Sequence, residues 1–179
     1  MKRVQAFALY GKSCILAAIF LLSVILPAHT ASGSESRPFT AGSARLSVAF
    51  GGATAFNRDY SVFGLGVGYF VSDGIEVGLD AEQWFGNSPH IEQVSPQLRA
   101  VVSTEGKIKP YVGAFYRRTY IENYRDLDTV GGRAGVYVLA GRNAYIGLGL
   151  AQDFHLNCDR TLYASCTETF PELLIAVIF

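Results

Sequence analysis

From Ala44 to Phe179 the chain alternates, and no other feature limits its possible folds so tightly. In Phe63-Gly64-Leu65-Gly66-Val67-Gly68-Tyr69 every second residue is large and apolar, and each residue between is glycine. In Ile75-Glu76-Val77-Gly78-Leu79-Asp80-Ala81-Glu82 apolar residues alternate with glycine or acid. A period of two gathers the apolar set on one face of a strand, whereas a helix would scatter it around its circumference. The pattern recurs about eight times, over 44–56, 60–71, 75–85, 92–103, 109–120, 129–140, 144–154 and 168–179. These lengths are close to the roughly 9–11 residues of a tilted strand that crosses a bilayer. Helical periodicity is missing from this region, so the expected fold is all-β without substantial helix.

The connections alternate too. Val71-Ser72-Asp73-Gly74 holds the Asp-Gly pair of tight hairpins. Thr104-Glu105-Gly106-Lys107 and Gly141-Arg142-Asn143 are equally short. The connections between them are mostly longer, at 86–91, 121–128 and 155–167, with Asn57-Arg58-Asp59 the brief exception. Short turns at one end and long loops at the other are how up-and-down membrane barrels are built, and an even strand count returns both termini to the short-turn end.

Residues 1–33 read as a secretory signal peptide and cleavage region. Lys2, Arg3 and Lys12 precede the apolar run Cys14–Pro27, and small residues follow in Ala28-His29-Thr30-Ala31-Ser32-Gly33. The run is shorter than the roughly 20 residues a helix needs to span a bilayer. Residues 34–43 are expected to form a polar leader, and 44–179 a single barrel domain. Removing three bases from a chain of 15 basic and 15 acidic residues leaves a negative balance. With no basic cluster longer than Arg117-Arg118, nucleic acid is not an expected partner.

Alternation alone does not say whether the apolar face meets lipid or a core. Hydrophobic residues make up 50% of the chain, high for a water-soluble protein. A water-soluble, periplasmic lipocalin-like binding barrel would bury the same face. If the apolar face points to lipid, Glu76, Asp80 and Glu82 line a narrow interior. There they would form a polar network with Arg99, Arg133, Glu172 and Arg117. Tyr69 and Phe179 then fall near the short turns, and Phe63, Tyr116 and Tyr120 near the long loops, as two interfacial girdles require.

The last strand breaks the tie. Leu173, Ile175, Val177 and Phe179 alternate with Glu172, Leu174, Ala176 and Ile178, and the sequence ends on an aromatic residue. Here, in Lys109-Pro110-Tyr111-Val112-Gly113-Ala114 and in Tyr69-Phe70-Val71-Ser72-Asp73-Gly74-Ile75, the chain resembles the small outer-membrane β-barrel proteins of Gram-negative bacteria. The resemblance covers about residues 44–179. It implies an outer-membrane location, contact with outer-membrane lipids, and recognition of the final strand through Phe179 by the barrel-insertion machinery. For function it is weak, because barrels of this size host adhesion, structural, gating and enzymatic roles.

Cys158 and Cys166 are the two cysteines left after signal removal, in a compartment that oxidises thiols, and a disulfide between them is expected. A metal site using His155 with both cysteines lacks a fourth ligand. Asp126-Leu127-Asp128 has too few acids for a calcium loop. Gly64-x-Gly66-x-Gly68 lacks the spacing and the following helix of a nucleotide loop, so glycines facing a crowded interior explain it better. His90 and His155 stand beside no recognisable nucleophile, which argues against catalysis. No cofactor or metal is expected. The leading functional expectation is a non-enzymatic outer-membrane barrel supporting envelope integrity, or binding an extracellular ligand through its loops. A narrow channel or small-molecule translocator is the alternative, and a lipid-modifying enzyme a weaker one.

Overall fold

The computed structural model describes residues 38–156 and 165–179. Eight antiparallel strands follow one another around a closed barrel. They are β1 (Ala44–Ala55), β2 (Arg58–Ser72), β3 (Ile75–Phe85), β4 (Ile91–Val101), β5 (Ile108–Ile121), β6 (Leu127–Leu139), β7 (Ala144–His155) and β8 (Thr167–Ile178). The bounds fall within two residues of those read from the alternation, because the period-two pattern breaks where the chain turns.

The β1–β2 connection is tighter than expected. Arg58 and Asp59 pair with Ala55 and Thr54, so the turn is Phe56-Asn57 rather than 57–59. Both turn residues have positive φ, at 53° and 56°. That is the backbone of a type I′ hairpin turn, which Asn tolerates and Phe does not advertise. At the opposite end Gly74 takes φ 75° in the Asp73-Gly74 turn.

Successive side chains point alternately into the barrel and out. Leu65, Leu79, Leu98, Val112, Leu148 and Ile175 are among the apolar residues on the exposed outer face. Arginines, acids, glutamines and serines are among the buried ones. This polarity is the reverse of a water-soluble barrel and matches hydrocarbon outside. Tyr69, Phe179, Tyr116 and Tyr120 are exposed, and Phe63 packs its ring against Phe50 at 5.1 Å.

The stretch expected to be a polar leader contributes to the core. Phe39 is only 4% exposed. It turns into the short-turn end of the barrel with φ 70°. Its carbonyl accepts the Gly74 N–H at 2.8 Å, and Gly42 N–H donates to the Phe70 carbonyl at 2.8 Å. The ring stacks on Tyr137 at 5.7 Å and meets Phe70 edge-on at 5.7 Å. Tyr111 and Tyr137 stack behind it at 4.2 Å, and Tyr137 and Tyr145 lie 4.5 Å apart. Together these rings fill the short-turn end.

Candidate functional site: an ionic lattice beneath a chamber

Above the aromatic floor the interior is ionic. Glu76, fully buried on β3, accepts the Arg45 Nε–H at 2.7 Å and faces Arg99 Nη1 at 4.0 Å. Asp80, four residues on and therefore on the same face, meets Arg45 at 3.5 Å, Arg99 at 3.3 Å and Arg133 at 3.6 Å. Arg133 also holds Glu172 of β8 at 3.3 Å. A second group lies beside it: Arg117 donates to Asp153 at 2.7 Å and to the Ser95 hydroxyl at 3.2 Å. The Arg133 and Arg117 guanidinium groups flank the Phe115 ring at 4.5 and 4.8 Å, a cation–π arrangement.

The glycine run of β2 makes this lattice possible. Register sets Gly64 opposite Glu82 and Gly66 opposite Asp80, with Glu76 two pairs beyond Gly68, opposite Phe70. A Cβ at Gly66 would collide with the Asp80 carboxylate and the Ser47 hydroxyl, and one at Gly68 with the Glu76 carboxylate. Arg45, on β1, reaches across this bare track to the acids of β3 and also donates to Ser47 on its own strand. Three side chains on β2 would block that crossing.

Of the interior residues expected from sequence, the lattice brings together Glu76, Asp80, Arg99, Arg133 and Glu172. Glu82 lines the same interior but makes no ion pair among the described residues. Sequence reasoning missed Arg45 and the pairing of Asp153. Each occupies an inward position in a readable alternation, Arg45-x-Ser47-x-Ala49 and Gly149-x-Ala151-x-Asp153. Arg117 points in and Arg118 out. Arg118 does not simply reach for lipid headgroups: it pairs with Asp126 at 2.8 Å and Asp128 at 3.1 Å. Its hold on Asp126 and Asp128 accounts for that acid pair without a cation.

The two described histidines are held by other groups. His90 Nε2 lies 3.2 Å from Gln83 Nε2, and His155 Nδ1 lies 2.9 Å from the Thr129 hydroxyl. Asp153, near His155 in sequence, is committed to Arg117. Among the described residues no cluster of three metal-ligating side chains occurs. The expected Cys158–Cys166 disulfide has one end, Cys158, outside the described residues.

Toward the long loops the interior widens into a chamber of about 990 Å³. Its floor is Asp80, Arg99 and Arg133, its walls include Glu82, Gln93 and Asp153, and Trp84 and Ile91 line it nearer the mouth.

A closed eight-stranded barrel with an apolar outer face and an ionic interior is a β-barrel of the small outer-membrane class. No family model and no curated protein matches the sequence. Among solved structures, the chain is similar to the N-terminal β-barrel domain of Pseudomonas aeruginosa OprF. The TM-score is 0.62 at 19% identity, over 78% of this chain and 98% of that one. It is also similar to Neisserial surface protein A, with a TM-score of 0.52 at 15% identity, over 76% of this chain and 93% of that one. At these identities the likeness is one of fold.

Proposed function

We propose that the chain is a non-enzymatic, non-conducting barrel of the outer membrane that presents its long loops to the cell exterior. The observation that supports this best is the double closure of the lumen. Phe39 and the tyrosine stack fill the short-turn end, and the Arg45–Glu76–Asp80–Arg99–Arg133–Glu172 lattice spans the barrel above them. An interior of eight strands is only just wide enough for side chains to fill. On this reading residues 1–33 direct export, the final strand with Phe179 is read during insertion, and loops 86–91, 121–128 and 155–167 make the external contacts. A Cys158–Cys166 disulfide would brace the last of these loops.

Planar bilayers containing the purified, folded barrel test the reading. Electrical silence is expected, for the native chain and for Arg99→Ala alike, because the aromatic floor is untouched by that change. Unitary steps that vanish or change size in Arg99→Ala or Glu82→Ala would overturn it and favour the narrow translocator. That second reading draws its support from the chamber, which opens at the loop end.

A further inference from the structure

The barrel wall is incomplete on one side. β1 and β8 pair from Arg45–Ile178 to Ala49–Leu174, extended one step by the two hydrogen bonds between Ala44 and Phe179. Beyond Ala49, β1 continues to pair with β2 as far as Ala55, and β8 continues with β7 down to Thr167, but the two strands no longer pair with each other. The local sequence explains the parting. Gly51-Gly52 offers no side chain to pack across the seam, and Pro171 has no N–H to donate.

This notch lies within the apolar belt. Leu173 sits opposite Leu148 and Pro171 opposite Leu150, and both leucines are exposed on the outer face. Phe50, 65% exposed, sits opposite Phe63. Unpaired backbone at this depth is tolerated only where it lines a cavity, since hydrocarbon offers it no partner. Here it does: the chamber wall includes outward Phe50, Leu65 and Leu173 together with inward Glu82, Gln93 and Asp153. The chamber therefore opens both at the loop end and sideways, toward lipid.

Its inner wall offers more free acceptors than donors, the one neutral unpartnered N–H among its described lining residues being the Trp84 indole nearer the mouth. Each interior arginine holds a carboxylate. Glu82 makes no ion pair or hydrogen bond among the described residues. Asp153 is 3% exposed and its Oδ1 has no partner, and Gln93 is 8% exposed with Oε1 likewise unpartnered. The unpartnered nitrogens of Arg99 and Arg133 belong to guanidinium groups already committed to acids. An anionic ligand would have to displace those acids and then sit beside Glu82. A compact N–H cation would meet free acceptors.

We propose that the chamber and its notch form a binding site for a single-chain amphiphile carrying a primary amine. The ammonium sits at Glu82, within reach of the Gln93 and Asp153 side of the chamber, and the aliphatic chain leaves through the notch across Phe50 and Leu173. This goes beyond a barrel that acts only through its loops, and it holds whether or not the barrel conducts.

Trp84 is the chain's only tryptophan and lines the chamber, so its emission reports occupancy. The barrel, folded in phosphocholine nanodiscs, is titrated with dodecylamine, dodecanoate and butylamine. Dodecylamine is expected to give a saturable change, weakened about tenfold by Glu82→Gln, the loss of one charge-assisted contact. Butylamine, lacking most of the chain, is expected to bind at least about a hundredfold more weakly. Glu82→Gln removes no partner from the lattice, and a heat-dependent gel shift checks that this variant is folded. Equal saturable binding of dodecanoate, or an affinity for dodecylamine unchanged in Glu82→Gln, overturns the site. A linear response shared by both long-chain probes reports partition into the bilayer alone and overturns it equally. Butylamine binding as tightly as dodecylamine overturns the role of the notch.

Discussion

Glu76 is the position at which the interior lattice is most exposed to test. Its side chain is fully buried, it accepts from Arg45 at 2.7 Å, and it faces Arg99 at 4.0 Å. Three guanidinium groups, Arg45, Arg99 and Arg133, are there balanced by three carboxylates, Glu76, Asp80 and Glu172. Glu76→Gln keeps the shape and leaves one uncompensated positive charge between an aromatic floor and a hydrocarbon-facing wall. Breaking a buried pair in this way costs about 3–5 kcal/mol. Replacing both partners, Glu76→Leu with Arg45→Leu, removes the orphaned charge together with its partner, so the double variant is expected to recover most of that loss. The assay is urea unfolding of the barrel in lipid vesicles, followed by Trp84 emission, with the slope m unchanged if the native and unfolded ensembles keep their extent. Arg118→Ala serves as the control, since its pairs with Asp126 and Asp128 are solvent-exposed and no measurable change is expected. A loss in Glu76→Gln below about 1 kcal/mol, with no coupling to Arg45, would refute the reasoning. It would mean that the lattice is hydrated well enough for water to replace a partner.

Three further outcomes follow from the same packing. Phe39→Ala should destabilise the barrel by about 3 kcal/mol in the same unfolding assay, the low end for a buried Phe, because water can enter at the barrel end. It should leave bilayers silent, since the Tyr111–Tyr137–Tyr145 stack remains. Gly68→Ala should cost about 1–3 kcal/mol by pushing the Glu76 carboxylate away from Arg45, whereas Gly51→Ala, with open space around its Cβ, should stay within about 0.5 kcal/mol. Cys158→Ser should leave global unfolding unchanged but speed proteolysis within loop 155–167, as expected of a local disulfide; equal cleavage rates would argue that the two cysteines are not joined.

How much of this was legible in the sequence depended on whether neighbours along the chain or across it were decisive. Strands were readable because the barrel has lipid on one side and charge on the other, and Leu65-Gly66-Val67-Gly68 records both faces in four letters. The β1–β2 turn was misplaced by a residue because Phe56 adopts a conformation its side chain does not announce. Phe39 was overlooked for a different reason. A single aromatic among Ser, Pro and Thr has no period; what holds it inward is the Gly74 N–H donated to its carbonyl and, three residues on, the Gly42 N–H donated to Phe70. The acids of β3 stood out as an interior set, but their partners did not. Arg45 is 31 residues from Glu76, and the contact exists only once register places the glycines of β2 between them.

The same register divides the barrel into two unlike halves. Inward positions near the short turns carry Phe70, Tyr111, Tyr137 and Tyr145, and the glycines at 135, 147 and 149 leave room for the tyrosine rings and the Leu174 side chain beside them. Near the long loops Tyr60, Ile91 and Ile121 form a second, smaller apolar cluster with Trp84 and Ala55, whereas the inward positions Ala49, Gly51 and Ala53 of β1 leave the chamber beside it unfilled. The seam follows this division: β1 and β8 are joined beside the packed half and separate beside the hollow one. A barrel whose sole task was to span the membrane would gain from filling the chamber beside that cluster with apolar side chains, because packed interiors stabilise and unpaired edges in lipid do not. The chamber instead keeps Glu82 without an ion pair or hydrogen bond among the described residues, above a lattice in which the neighbouring acids are paired. Residues that local packing would replace, yet which share one space with an opening to the lipid face, are the ones a ligand would explain.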